Sequence, residues 1–327
     1  MSTSGRSDAA HDSLESFNGA TMTLVVNPSA GHGKAKKLLP GVVTTILTQL
    51  PGVNLRVFQT SSYAEARLRC ITAVENARPV IEGHRPDSLL VMGGDGMMHL
   101  GLNACAETDV PLGLIPAGSG NDFVRGVGVP AATAAAVQVI VDGHVDRIDL
   151  MEALGDLAGG AKRRFIGSIL STGFDARVND RVNKMTWTLG QLSYTWAALA
   201  ELGIFEPVRY RLTIDGVERD QTAMFICVGN AGYFGGGMKG LPQADVRDGI
   251  LDLMIVHPVS RLTLLRLLPL MFSGKYAKDP AIEQLRARHV IVNGDGLVPM
   301  ADGERVGTAP ISLRAVPGAL PLYLPRR

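Results

Sequence analysis

Aromatic residues make up only 5% of this 327-residue chain, so its core must be built mainly from aliphatic side chains. Cysteine is scarce too. Cys70, Cys105 and Cys227 are odd in number, widely separated and set in apolar surroundings. That argues against a disulfide framework or a cysteine metal site and for reduced core thiols in a cytosolic protein. Neither sign of charge is in excess: a formal net charge of +1 argues against nucleic-acid binding by bulk electrostatics. No apolar run reaches the roughly 18 residues of a membrane span, so any work at a membrane is done from its surface. Residues 1–20 are small and polar without an apolar centre, which reads as a disordered leader rather than a signal peptide. The Walker A pattern is also missing, because Gly33-Lys34 is followed by Ala35 instead of Ser or Thr.

The stretch from Ser88 to Gly96, S-L-L-V-M-G-G-D-G, is the most informative one present. A short apolar run reads as a buried strand that breaks into glycines and then into helical spacing. Strand, glycine turn and helix together place backbone N–H groups where a phosphate can sit. Asp95 inside that turn would repel phosphate unless a cation offsets it, which points to a magnesium-nucleotide site. A second loop, P-A-G-S-G-N-D-F at residues 116–123, follows another apolar run and carries Asp122. Asn121-Asp122 also suits a helix N-cap, and the two roles are compatible.

Around these loops the predicted strands are 21–27, 53–58, 89–92, 111–115 and 145–150, with helices over 35–50, 64–76 and 131–141. The alternation predicts a doubly wound α/β domain over 21–148, with both glycine loops on the ligand-binding edge of its sheet. Ser62 and Glu65 suit a capping box, while Thr60 beside them could bring a hydroxyl to phosphate. After Asp149 the texture becomes strand-rich over 164–171, 208–214, 221–229, 251–256, 290–293, 311–315 and 320–324. That predicts an all-β unit over 149–327, with helical insertions near 175–204 and 261–273 and a boundary at 146–150. A-D-G-E (301–304) and D-V-R-D-G (245–249) read by themselves as turns.

In order and spacing, N-P-S-A-G-H-G, G-G-D-G and P-A-G-S-G-N-D-F resemble the diacylglycerol kinase catalytic-domain family, above all its soluble actinobacterial members. In the second half S-T-G-F-D, G-N-A-G-Y-F-G-G-G-M, P-Q-A-D-V-R-D-G-I-L-D and A-D-G-E agree, so the likeness covers nearly everything after residue 20. It implies an N-terminal domain like those of phosphofructokinase and NAD kinase, a C-terminal β-sandwich, and ATP in the cleft between them. It also implies ATP contacts from Asn27, Pro28, Ser29, Ala30, Gly31, Thr60, Gly93, Gly94, Asp95, Gly96, His99 and Ser119. Catalytic Mg²⁺ would be held by Asp95 with Asp122, through water. Asp302 or Glu304 would be the general base for the lipid hydroxyl. A structural Mg²⁺ would lie at Asp245, Asp248 and Ile250. The activity implied is phosphorylation of 1,2-diacylglycerol to phosphatidate by a cytoplasmic protein peripheral to the inner membrane face, with a homodimer left open.

The chain departs from the family in places. Met97 stands where Thr usually follows G-G-D-G, His99-Leu100 replaces an Asn-Glu pair, and Ser119 stands where Thr is common. His32, His99 and His257 lack metal-ligand spacing and otherwise read as ordinary polar or core residues. Two segments suit an anionic membrane surface: Arg261–Phe272, and 181–205 with Arg181, Lys184, Trp187, Tyr194 and Trp196, the second being preferred. Competing readings are a kinase of a sphingosine-like alcohol or glycolipid, an NAD kinase, and a non-catalytic lipid or nucleotide sensor. NAD kinase is disfavoured because no suitably placed Asn-Glu pair occurs in a later loop.

Overall fold

The computed structural model describes residues 19–173, 206–302 and 304–326. Most of the expected leader and the insertion at 175–204, with its tryptophans, lie outside the described residues.

The first half alternates as expected: β1 (Thr21–Val26), α1 (Ala30–Gln49), β2 (Asn54–Gln59), α2 (Tyr63–Glu75), β3 (Ser88–Gly93), α3 (Asp95–Cys105), β4 (Leu112–Pro116), α4 (Asp122–Gly126) and α5 (Thr133–Asp142). β3 and β4 are buried along their whole length because helices cover both faces of the parallel sheet. On one face α1 and α5 pack Leu39, Ile46, Val137 and Ile140 onto Leu24, Leu90 and Met92. On the other, α2 and α3 pack Cys70, Met98 and Leu102 onto Val25, Leu89 and Val91. At the start of α2, Ser62 accepts from the Glu65 N–H at 3.2 Å, while the Glu65 carboxylate returns to the Ser61 N–H at 2.9 Å. The expected capping box is therefore present with its return bond moved back one residue.

The second half contributes β5 (Val145–Leu157), β6 (Arg163–Ile166), β7 (Ile169–Gly173), β8 (Val208–Ile214), β9 (Val217–Ala223), β10 (Phe225–Gly229) and β11 (Leu251–Val256). Then come α6 (Arg261–Met271), β12 (Ile282–Ala287), β13 (His289–Asn293), β14 (Met300–Ala301), β15 (Glu304–Arg305) and β16 (Gly307–Tyr323). Two sheets enclose an aliphatic core in which Leu253 and Ile255 meet Val290, Ile311 and Leu313, the predicted β-sandwich. The expected strand 164–171 is broken at Gly167, where a Cβ would come within 2.6 Å of the Phe123 ring. Residues 311–315 and 320–324, expected as two strands, are one long β16 with register shifts. A strand at 282–287 was not foreseen.

β5 runs unbroken through 146–150, where the domain boundary was expected. The ten-stranded sheet runs β2-β1-β3-β4-β16-β13-β8-β9, with β5 paired to β16 and β6 to β5, and passes from one half into the other through β16. A six-stranded sheet, β12-β11-β10-β7-β14-β15, forms the opposing layer. The end of this second sheet at β14 and β15 lies against the glycine turns of the first, where the Gly96 Cβ position is 3.9 Å from the Glu304 carboxylate.

Candidate functional site

Three loops converge at the C-terminal ends of β1, β3 and β4, and glycine makes their approach possible. A Cβ on Gly31 would stand 2.2 Å from the Ala117 carbonyl oxygen, and one on Gly118 would stand 2.4 Å from Gly94 Cα. Both distances are below van der Waals contact, so side chains there would push the loops apart. The Asn27 side chain accepts from the Ser29 N–H at 3.0 Å and shapes the first loop, which continues through Pro28, Ala30 and Gly31. Gly93 receives the N–H groups of Ala117 and Gly118 at 2.8 and 3.0 Å, which ties the second loop to the third. Ser119 is exposed at the tip of the third loop. Thr60 is buried at the same edge, but its hydroxyl donates to the Val26 carbonyl at 3.0 Å, which directs its proton into the fold.

Asp95 begins α3 and reaches across to α4. Its carboxylate accepts from the Asn121 N–H at 2.8 Å and the Asp122 N–H at 2.7 Å. The first N–H groups of a helix have no partner within it, so Asp95 caps α4 from a different element. Gly120 lies alongside, where a Cβ would meet the Asp95 carboxylate at 2.6 Å. Asp122 accepts from the Gly236 N–H at 2.8 Å with one oxygen, while its other oxygen is buried with no protein partner. Burial, then the Asp302 charge, raises the Asp95 carboxyl above its ordinary value. Burial, then Asp95, pushes Asp122 up to about 7. This part of the site holds more negative charge than its donors neutralise.

Asp302 and Glu304 come from the β14–β15 turn, so A-D-G-E is both the turn and a part of the site. Asp302 has a φ of +51°, a left-handed backbone that points the residue out of the β ladder. One of its oxygens accepts from the Ser168 hydroxyl, and the other lies 2.9 Å from His99 Nδ1. His99 is one turn along α3 from Asp95 and is buried. Asn103, a further turn on, accepts from the Phe165 N–H at 2.9 Å and turns its amide nitrogen toward His99 Nε2 at 3.3 Å. That amide also donates to the His99 and Phe165 carbonyls at 3.0 and 2.9 Å, and in the tautomer with its proton on Nδ1 the ring donates to Asp302. Tyr63, at the start of α2, is raised by burial and then by Glu304, with Arg164 and Arg67 pulling the other way, so these residues share the mouth of the site.

Met97 is buried in the core, where a Cβ on Gly93 would stand 2.5 Å from its side chain. The space a Thr would open beside phosphate is filled by packing under the end of β3. Leu100 belongs to the same core.

Asp245, Asp248 and Ile250 are not brought to this site. They form a turn beside Asp149, whose carboxylate accepts from the N–H groups of Gly249 and Gly318 at 2.7 and 2.8 Å. Asp248 accepts from the Ile250 N–H at 3.0 Å and from Arg286, and Asp245 accepts from the Arg247 N–H at 3.2 Å. Asp252, which sequence reasoning missed, is pushed up to about 6 by burial, with Arg286 3.6 Å away as the compensating charge. Arg286 and backbone N–H groups meet Asp245 and Asp248, whereas one Asp252 oxygen is buried with no partner beside these like charges. Among the described residues they do not come together as a group of three candidate ligands for the structural Mg²⁺ that the resemblance implied.

Asp95 and Asp122 do fit a cation. They are hard oxygen donors with an unpartnered buried oxygen and mutual repulsion. No group of three or more candidate ligands is assembled among the described residues. A Mg²⁺ ion is usually held by one or two carboxylates together with substrate phosphates and water. Ser168, Asn103 and Gly236 were also missed. Gly236 lay inside a quoted motif without a role, and nothing local in the sequence marks the other two.

Glycine turns at the edge of an α/β sheet, faced by carboxylates from a β-sandwich, define a two-domain phosphate-handling class. The "Diacylglycerol kinase catalytic domain" family matches residues 21–153, and the "YegS C-terminal NAD kinase beta sandwich-like domain" matches residues 168–324. A diacylglycerol kinase of Mycobacterium tuberculosis is 36% identical over 93% of this chain and 95% of its own length. One from Staphylococcus carnosus is 26% identical over 93% of this chain and 94% of its own. A diacylglycerol kinase structure from Bacillus anthracis superposes with a TM-score of 0.69 at 21% identity, covering 93% of this chain and 97% of that one, which bears on the fold. The chain belongs to the diacylglycerol kinase family, whose members are lipid kinases.

Proposed function

We propose that this protein transfers the γ-phosphoryl group of ATP to the free hydroxyl of 1,2-diacylglycerol, giving phosphatidate, and does so at the inner face of the membrane. Among the described residues no helix is long and apolar enough to cross a bilayer. The observation that carries the reading is the position of Asp302, a carboxylate from the sandwich held by Ser168 and His99 beside the phosphate turns and Asp95.

The glycine turns present backbone N–H groups and the start of α3 to the nucleotide phosphates, which aligns them for in-line attack. Mg²⁺, held by Asp95 and Asp122, would neutralise charge on the transferring phosphoryl group. Asp302 accepts the proton of the lipid hydroxyl as its oxygen bonds to phosphorus and the bond to the departing ADP oxygen breaks. Ser168 donates to one Asp302 oxygen and His99 lies against the other, which holds the carboxylate aimed. Glu304 stands beside Gly96, where it can receive a bond from the hydroxyl or from bound water.

The test is incubation of the full chain with radiolabelled ATP, Mg²⁺ and a mixed-micelle panel of diacylglycerol, long-chain bases, a glycolipid and NAD, followed by thin-layer chromatography. Labelled phosphatidate is expected. Label on a long-chain base or glycolipid alone would transfer the reading to that alcohol, and ATP binding without labelled product would favour a sensor.

A further inference from the structure

Helix α6 is apolar on two opposite sides. Leu264, Leu267 and Met271 are buried against the sandwich beside Phe234 and Met238. At 3.6 residues per turn, Leu262, Leu265, Pro269 and Phe272 fall on the other side. Leu262 is 79% exposed, Phe272 41% and Leu265 36%. No packing requirement explains that outer stripe. Arg261 and Arg266 lie along its two margins, and exposed Lys275 and Lys278 follow the helix. Arg266 pairs with Asp279, whereas Arg261, Lys275 and Lys278 have no carboxylate partner among the described residues.

We propose that α6 is the membrane-docking element and lies flat on an anionic phospholipid surface. Apolar residues bordered by unpaired bases are the arrangement that enters the headgroup boundary while the bases meet lipid phosphates. The buried side of the same helix connects to the loop that meets Asp122. The Met271 carbonyl accepts from the Lys239 N–H at 2.9 Å, and the loop that ends there donates the Gly236 N–H to Asp122 at 2.8 Å. Docking on α6 would therefore bring the site to the surface that holds the substrate. The purpose of the docking rests on the lipid-kinase reading, but its geometry does not.

The experiment is flotation of the full chain with vesicles of phosphatidylcholine alone or with added phosphatidylglycerol, for wild type and for Leu262→Gln/Phe272→Gln and Arg261→Glu/Lys275→Glu. These side chains are exposed, so unchanged melting is expected and confirms folding. Wild type should float with the anionic vesicles, and each double variant should bind about tenfold less or weaker still. Turnover of a water-soluble short-chain diacylglycerol should be unchanged while turnover of vesicle-embedded diacylglycerol falls. Variants that float like wild type would overturn the proposal. So would wild type that is dimeric without lipid and made monomeric by Leu262→Gln/Phe272→Gln, which would assign the stripe to a subunit interface. If α6-dependent flotation persists but no diacylglycerol is phosphorylated, docking stands and the substrate reading falls.

Discussion

The protein has two acidic clusters that look alike in sequence and differ in what balances them. Asp245, Asp248 and Asp252 are met by Arg286 and by backbone N–H groups of their own turn, although one Asp252 oxygen is buried with no partner. Asp95 and Asp122 hydrogen-bond to backbone N–H groups with no direct ion pair among the described residues, Arg125 lowering Asp122 from a distance, and one Asp122 oxygen is buried with no partner. A carboxylate cluster that keeps its own arginine is a structural joint. One left short of positive charge beside phosphate turns is prepared for a ligand that brings a cation. Aspartates near glycines were visible in both places, but the distant arginine that separates them was not.

The strongest way to test the contrast is at the site itself. Asp302→Asn should lower kcat by ~10²–10⁴-fold with little change in melting, because it removes the proton acceptor and keeps the shape. Steady-state kinetics with diacylglycerol checks this, and retained turnover would remove Asp302 from the mechanism.

The next effect concerns Asp122. Its folded value of about 7 lies above the ordinary 3.8, so the folded state holds a proton that the unfolded chain releases. Stability of the nucleotide-free protein should therefore decline as pH rises across that window. Asp122→Asn should melt higher than wild type at about pH 8 and by much less at about pH 5, while losing activity. Mg-ATP should raise wild-type melting most at the higher pH. A flat difference between the two proteins would mean that Asp122 is already neutralised.

A smaller effect is expected at His99. His99→Asn, which restores the amide common in the family, should cost roughly tenfold in kcat with the KM for ATP unchanged. An effect on KM alone would make His99 a nucleotide contact instead of a support for Asp302.

The smallest effect should come from the balanced cluster. Arg286 is half-exposed, so Arg286→Met should cost about 1 kcal/mol in denaturant unfolding and leave kcat intact. If added Mg²⁺ restored that stability, the turn would be a metal site after all and the contrast would fail.

Much of this was legible because it is local. Period-2 and apolar runs marked the central strands, and the glycine turns carried their own chemistry. Other features depend on distant residues. Ser168 and His99 meet Asp302 only after β7, β14 and α3 have been brought together. Met97 looked like a lost phosphate contact until its burial beneath β3 showed a packing role. The two expected strands near the C-terminal side are one, because β16 absorbs Gly318 at a φ of +60° within a bulged ladder.

β16 also orders events in time. It supplies the neighbour of β4, pairing Leu322 with Leu112, and brings the Tyr323 hydroxyl to Ser88 at 2.7 Å. Every other described strand of both sheets precedes it in the chain. On the ribosome, the nucleotide-binding half therefore waits with one sheet edge open until residues 307–323 have emerged.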